Sequence, residues 1–304
     1  MVKEDFAAWV AERHALGIIN DKSLENYNML VSHFMGKFGS VCTMYIQPKE
    51  VTQFYIERLK TASPNTIRIS HQILKGFFAD MQKEGKIAVS PMAEVKVPKG
   101  SKKERKALDD AQIKALLTHT AANQFLHLVV HLAISTGLRR GEMAALRWSD
   151  VDLKNGRITV SRSRIRVGNT EVEKEPKSES GLRTVALPKT LIDMLQDRVS
   201  KPDAYVLTTS HGQRVSLGYL TNAIKEAMKA IGCDDGYCLH STRHTHATHL
   251  LNAKMPIKAV SKRLGHSDIS TTMRIYAKVL DQDDADLASA IDKVIDQGCQ
   301  GQSA

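Results

Sequence analysis

The segment KVPKGSKKERK, residues 96–106, constrains the fold more than any other stretch of the chain. It holds six basic residues, one acid, a proline and a glycine. A folded core has no use for that set, because unpaired charges resist desolvation and proline withholds a backbone donor. The chain is therefore expected to fold as two bodies, one on each side of it. A length of 304 residues agrees, being long for a single core. The plain reading of the segment is a solvated linker. A sharper reading lays Lys96, Lys99, Lys102, Lys103, Arg105 and Lys106 along phosphates, where they release counterions from a nucleic acid.

Residues 1–95 read as four helices. Phe6, Trp9 and Val10 make a short apolar face. Ser23 can cap a helix carrying Leu24, Tyr27, Val31, Phe34 and Phe38. Pro48 opens a third helix, and Ser63-Pro64 a fourth that Gly85 stops. Residues 107–280 form the second body. Asp109 with Gln112 makes a capping box, and a buried helix through Phe125, Leu128, Val129 and Leu132 ends at Gly137. The period then changes from helical to alternating over 157–188, predicting three short antiparallel strands with turns at 167–170 and near 178–181. Helices return at about 189–200, 216–231, 240–253, 256–264 and 270–280. A tail, 281–304, carries Leu287, Ile291, Val294 and Ile295 on one helical face. The expected fold class is mostly α with a small antiparallel β-sheet, α+β.

Charge narrows the partner. The excess of 43 Lys and Arg over 33 Asp and Glu gives a formal net charge of +10, which favours an anionic partner such as nucleic acid. No apolar run reaches the ~18 residues of a membrane span, and the N-terminus lacks a signal pattern, so the cytoplasm is expected. The four cysteines are scattered, and Cys233 with Cys238 finds no second pair to complete a zinc site.

Four places can carry chemistry. TGLRRGEMAALRWSDVD, 136–152, sets Arg139 after a glycine stop, with Glu142 three residues on and on the same helical face. An ordinary surface ion pair explains that spacing equally well. Lys177 sits at a strand end beside a turn, where a solvated lysine is also ordinary; Lys174 and Lys189 flank the same region. HSTRHTHATHLL, 240–251, puts His240 and Arg243 one helical turn apart. His240 and His244 have the spacing of a zinc helix, but the glutamate that a zinc peptidase places beside its first histidine is missing. Finally, His266 is followed ten residues later by Tyr276, which taken alone reads as packing. Together, two arginines, a lysine, two histidines and a tyrosine suit metal-free phosphodiester transesterification. Arginines clamp phosphate oxygens, a lysine or histidine protonates the leaving oxygen, and a phenol titrating near ~10 needs such help to attack.

In this order the residues resemble the tyrosine recombinase (phage integrase) family. Thr136-Gly137-Leu138-Arg139 with Glu142, Lys177, His240-x-x-Arg243-His244, Leu264-Gly265-His266 and Tyr276 match its pattern in sequence. The resemblance is strong over about 108–280 and looser over 1–95, which looks like the family's core-binding domain. It implies a site-specific recombinase in which Tyr276 attacks the scissile phosphate, leaving a 3′-phosphotyrosyl link and a 5′-hydroxyl. Arg139 and Arg243 would bind phosphate oxygens, Lys177 act as general acid and His240 as general base. His266 would contact the phosphate, and Glu142 orient its neighbours.

The resemblance further implies no cofactor, no catalytic metal and no ATP. The implied partners are double-stranded recombination sites, a homotetramer on DNA reacting through a Holliday junction, and an accessory DNA-bending or directionality factor. The tail is expected to dock on a neighbouring protomer. Integration or excision of a phage or transposable element is the expected role. A transposon or chromosome-dimer resolvase is the alternative, followed by a type IB topoisomerase, an inactive DNA-binding relative and a metal hydrolase. Many integrases of large temperate phages carry an arm-binding domain before the core-binding helices, whereas here helices are expected almost from Met1.

Overall fold

Punctuation residues set most of the helix ends in the computed structural model, which describes residues 1–100, 106–175, 181–209, 211–233 and 236–279. The chain divides into two compact units, Met1–Glu104 and Arg105 onward, with Arg166–Thr170 grouped with the first. Lys177, Lys102, Lys103, Arg105 and the 281–304 tail with Leu287, Ile291, Val294 and Ile295 lie outside the described residues.

The first unit is built from α1 (Val2–Ala15), α2 (Asp21–Phe38), α3 (Pro48–Arg58) and α4 (Pro64–Lys83). Ser63 caps α4 by accepting from the Thr66 N–H at 3.1 Å, with Pro64 at the first helical position where its missing donor costs nothing. The cap of α2 differs from expectation. Asn20, not Ser23, is the N-cap, and its side chain accepts from the Ser23 N–H at 3.0 Å. The helix therefore starts three residues earlier, because an asparagine amide reaches the third N–H as well as a serine hydroxyl does. Aromatic side chains fill the core. Phe6 meets Phe77 edge-on at 5.3 Å, and Phe34 does the same with Phe54 at 5.8 Å. Phe77 and Phe78 are fully buried, each contributing about 2–3 kcal/mol of apolar transfer.

In the second unit, α6 (Gln124–Thr136) is the central helix, with α5 (Asp110–Thr120), α8 (Lys189–Gln196), α9 (Leu217–Ala230) and α10 (Leu239–Asn252) packed around it. The Asp109–Gln112 capping box forms reciprocally, at 2.8 and 3.1 Å. A six-residue helix, α7 (Arg140–Ala145), follows Gly137, and α11 (Ile257–Leu264) and α12 (Ser270–Val279) pack on α10.

Among the described residues there are five short strands where three were expected. β1 (Val151–Asp152), β2 (Arg157–Val160) and β5 (Arg183–Ala186) form one antiparallel sheet, while β3 (Ser163–Val167) and β4 (Thr170–Lys174) form a separate pair. The described part is an α+β fold, mostly helical. The expected turn at 167–170 joins β3 to β4. The difference is that β1 comes before the expected strands, and that the strand expected ahead of the turn is split into β2 and β3. These belong to separate sheets, with Arg164 the side chain that β3 buries. The register of the larger sheet matters for the site. Ile158 faces Val185 and Val160 faces Arg183, so β5 begins with an arginine on the core side.

Candidate active site

Gly137 ends α6 in the left-handed conformation, with φ 64°. A Cβ there would lie 2.7 Å from the His246 ring and 2.9 Å from a Leu264 methyl, so only glycine permits the turn. The turn releases the chain so that Arg139 becomes the N-cap of α7. This corrects the expected helical-face pair with Glu142. Arg139 is extended, φ −72° and ψ 153°, and Glu142 is the third helical residue reaching back to it. The Arg139 N–H donates to Glu142 Oε2 at 2.8 Å and its Nη1 to Oε1 at 2.8 Å. Arg139 Nη2 donates to the Gly265 carbonyl at 2.9 Å. Nor is this a surface pair, since Glu142 is buried with 6% of its surface exposed.

A third arginine, unassigned from the sequence, completes the cluster. Arg183 grips Glu142 with both ends of its guanidinium, Nη1 to Oε1 at 3.0 Å and Nη2 to Oε2 at 2.8 Å. Its Nε donates to the Arg263 carbonyl at 2.8 Å. Burial drives the Glu142 carboxyl toward its neutral form, but bonds and charge from Arg183, then Arg139, outweigh that and hold its pKa at about 2. Arg243 is almost wholly buried. Its Nη1 donates to the Gly137 carbonyl at 2.7 Å and its Nη2 to that of Leu264 at 2.6 Å. Desolvation first, then Arg139, pulls its pKa down to about 9, opposed by Glu142; it still carries its charge at neutral pH. Three guanidinium groups around one carboxylate leave two positive charges uncompensated within the cluster.

His266 follows Gly265, the left-handed C-cap of α11 at φ 65°. Its Nδ1 lies 2.9 Å from the buried Thr272 hydroxyl of α12. Desolvation, then the positive fields of Arg243, Arg139 and Arg183, and a smaller one from His240, lower its pKa to about 4. It is therefore neutral at physiological pH, and His240 is within electrostatic reach. His240 itself is exposed near the start of α10. His246 stands behind the cluster. Its Nδ1 donates to the Ile134 carbonyl at 2.8 Å, leaving Nε2 to accept from Arg263 Nε at 3.0 Å. Among the described residues no three His, Cys, Asp or Glu side chains group as metal ligands.

Tyr276 is half-buried on α12 and packs with Ile275 on the small core of Ala247, Leu251, Val260 and Leu264. Its hydroxyl makes no hydrogen bond to any described residue. The packing reading is thus right for the ring and leaves the oxygen available.

The phage integrase family model matches residues 106–283, which is over half of the chain. The chain belongs to the phage integrase family. A tyrosine recombinase XerC-like protein of Caldanaerobacter subterraneus is 30% identical over 249 residues, covering 72% of this chain and 63% of the relative. The tyrosine recombinase XerC of Xanthomonas campestris is also 30% identical, over 72% of this chain and 66% of its own length. The chain therefore spans just under two thirds of the length of these relatives. The fold is that of the Tn1549 transposon integrase in complex with a circular-intermediate DNA, with a TM-score of 0.84, 20% identity and coverage of 96% and 99% of the two chains. The lambda integrase dimer bound to a core site superposes at 0.69, with 17% identity and coverage of 89% and 94%.

Of the residues expected in a family active site, the structure gathers Arg139, Glu142, Arg243, His266 and His240 by contact or mutual field. Tyr276 lies on α12, against α10. The sequence reading missed Arg183 and Thr272. The signal for Arg183 was available, since it is the first residue of a strand whose next inward position is Val185. Thr272 had none. Of the linker, Lys96, Lys99 and Lys106 are exposed, and Lys106 also lies 5.8 Å over the Tyr237 ring.

Proposed function

We propose that the protein is a tyrosine-type site-specific DNA recombinase acting through a 3′-phosphotyrosyl intermediate. The observation that supports this most is the cluster of Arg139, Arg183 and Arg243 around buried Glu142, with neutral His266 beside it. A phosphodiester carries one negative charge, and pentacoordinate phosphorus gathers a second as the nucleophile adds. Two uncompensated positive charges in a partly desolvated site favour the second state over the first.

In this reading the Tyr276 oxygen bonds to phosphorus as its proton passes to His240. The bond from phosphorus to the 5′ oxygen breaks, and that oxygen takes a proton from Lys177. Arg139 and Arg243 hold the non-bridging oxygens, His266 donates to one of them, and Glu142 fixes Arg139. The phosphotyrosine keeps the bond energy, so rejoining to another 5′-hydroxyl needs no ATP, metal or other cofactor. The helical first unit would act as a core-binding domain, with the 96–106 linker on phosphates. The substrate would be paired duplex sites, held by four protomers and exchanged through a Holliday junction, with tails docked in trans and an accessory bending or directionality factor. Integration or excision of a mobile element, in a bacterial cytoplasm, is the favoured role. The XerC relatives keep chromosome-dimer or transposon resolution as the second reading.

A suicide substrate, nicked so that cleavage traps the covalent product, tests the core claim. Wild type is expected to yield a protein–DNA adduct and Tyr276→Phe none. An undiminished adduct in the variant removes Tyr276 as nucleophile. Relaxation of any supercoiled plasmid without recombination of paired sites would indicate a topoisomerase instead.

A further inference from the structure

We propose that Arg183 is a positioning residue for the phosphate clamp: it engages the Glu142 carboxylate so that Arg139 stays oriented by that carboxylate without being neutralised by it. This rests on the recombinase reading of the site and deepens it.

The geometry supports a division of labour between two arginines on one carboxylate. Arg183 makes the two-pronged contact, Nη1 to Oε1 and Nη2 to Oε2, at 3.0 and 2.8 Å. Arg139 makes a single side-chain contact, Nη1 to Oε1 at 2.8 Å, and turns its other terminal nitrogen to the Gly265 carbonyl. A bidentate guanidinium–carboxylate pair is the stronger arrangement, so the carboxylate charge is satisfied mainly by Arg183. All three guanidinium nitrogens of Arg183 are used internally, the third on the Arg263 carbonyl, and its side chain is only 5% exposed. It is not placed to bind substrate itself. The Arg139 side chain is 39% exposed, which leaves it able to meet a phosphate.

Without Arg183, Glu142 would have Arg139 as its nearest counter-charge and would close on it. A lone carboxylate facing a lone guanidinium cancels the charge that a phosphate must feel. Among the described residues Arg243 is held differently, its two terminal nitrogens donating to the neutral carbonyls of Gly137 and Leu264. The two phosphate arginines are thus kept in place by different means, one by dipoles and one by a carboxylate that a third arginine holds.

The test uses a duplex suicide substrate whose scissile phosphate is either the normal diester or a methylphosphonate, in which a methyl replaces one non-bridging oxygen and removes the negative charge. The readout is the ratio of single-turnover adduct rates, diester over methylphosphonate, with the full chain. Arg139→Ala is the control and is expected to lower that ratio by about 100-fold, as loss of a direct charge-stabilising donor does. Arg183→Gln is expected to lower it roughly 10- to 100-fold, the usual size for losing a group that supports a ligand from behind. Glu142→Gln combined with Arg183→Gln removes both charges, and the ratio should climb back toward wild type.

A purely structural role for Arg183 slows both substrates by the same factor and leaves the ratio unchanged, and that result overturns the proposal. If Arg139→Ala itself leaves the ratio unchanged, the phosphate-clamp reading fails instead. Should Arg183→Gln not fold, Arg183→Lys carries the test. It keeps a charge but cannot hold both carboxylate oxygens, and a ratio between wild type and Arg139→Ala is expected. A wild-type ratio in that variant counts against the proposal.

Discussion

At the residue scale two histidines, buried His246 and half-buried His266, show how one side chain serves two ends. His246 is held neutral from both sides, donating to Ile134 and accepting from Arg263, with burial as the main cause of a pKa near 4. A histidine kept neutral in the fold stabilises fully above its ordinary pKa of ~6.5, and that contribution is lost as pH falls toward the folded value. His246 alone should therefore cost about 3 kcal/mol of stability between pH ~6.5 and ~4. Denaturant melts across that range are expected to be visibly flatter for His246→Gln, whose amide can make both bonds. His266 is neutral for a related reason but sits among the arginines. If the Thr272 hydroxyl donates to its Nδ1, the proton resides on Nε2, ready for a phosphate oxygen. Thr272→Val keeps the shape and removes one hydrogen bond of ~1 kcal/mol, so cleavage should slow about fivefold, with Thr272→Ser near wild type. An equal rate in Thr272→Val would show that the tautomer is set elsewhere. Sequence made the six reactive residues visible because that combination in one chain order is rare. Thr272 was invisible because a threonine on a helix takes meaning only from what the fold sets opposite it.

At the element scale, helices were legible where residue type alone decides the end. Ser63-Pro64, the Asp109–Gln112 box and Gly137 each act through local backbone chemistry. The turn of the β3–β4 pair at 167–170 was legible, but the break between β2 and β3 was not, since the inward residue of β3 is Arg164 rather than an aliphatic. That guanidinium donates to the Val215 carbonyl at 2.8 Å, contacts Glu173 at 3.4 Å, and lies over Tyr205 at 4.8 Å. Arg147 also reaches Glu173, at 3.1 Å, and the Tyr205 hydroxyl donates to it at 2.6 Å. Arg164 is fully buried in this network, while Glu173 and Arg147 are partly exposed. Such a network adds little stability over apolar packing, but removing a partner of the buried charge strands it. Glu173→Ala is expected to destabilise the protein by about 3–5 kcal/mol in denaturant melts, because Arg164 is left buried without its nearest carboxylate. A loss under ~1 kcal/mol would mean that Glu171, 3.8 Å away, takes over the pairing.

At the scale of the whole molecule, the fold persists at 20% identity to the Tn1549 integrase because buried volume and helix punctuation define it, and many sequences meet those demands. The charge has a different logic. A net +10 does not specify a fold, and its effect is read in how binding responds to salt. Each phosphate contact releases counterions, so log K against log salt should steepen by about 0.9 per lysine that lies on duplex DNA. Lys96 and Lys99 are exposed on the approach to the linker, whereas Lys106 also engages the Tyr237 ring. Lys96→Ala with Lys99→Ala should therefore flatten the slope by nearly 2, measured by titrating a non-cleavable half-site with the Tyr276→Phe protein at several salt concentrations. Adding Lys106→Ala should flatten it by less than a further 0.9, since that ammonium already has an aromatic face to lose. A slope unchanged in the double variant would mean that residues 96–106 act as a spacer, with the phosphates contacted elsewhere.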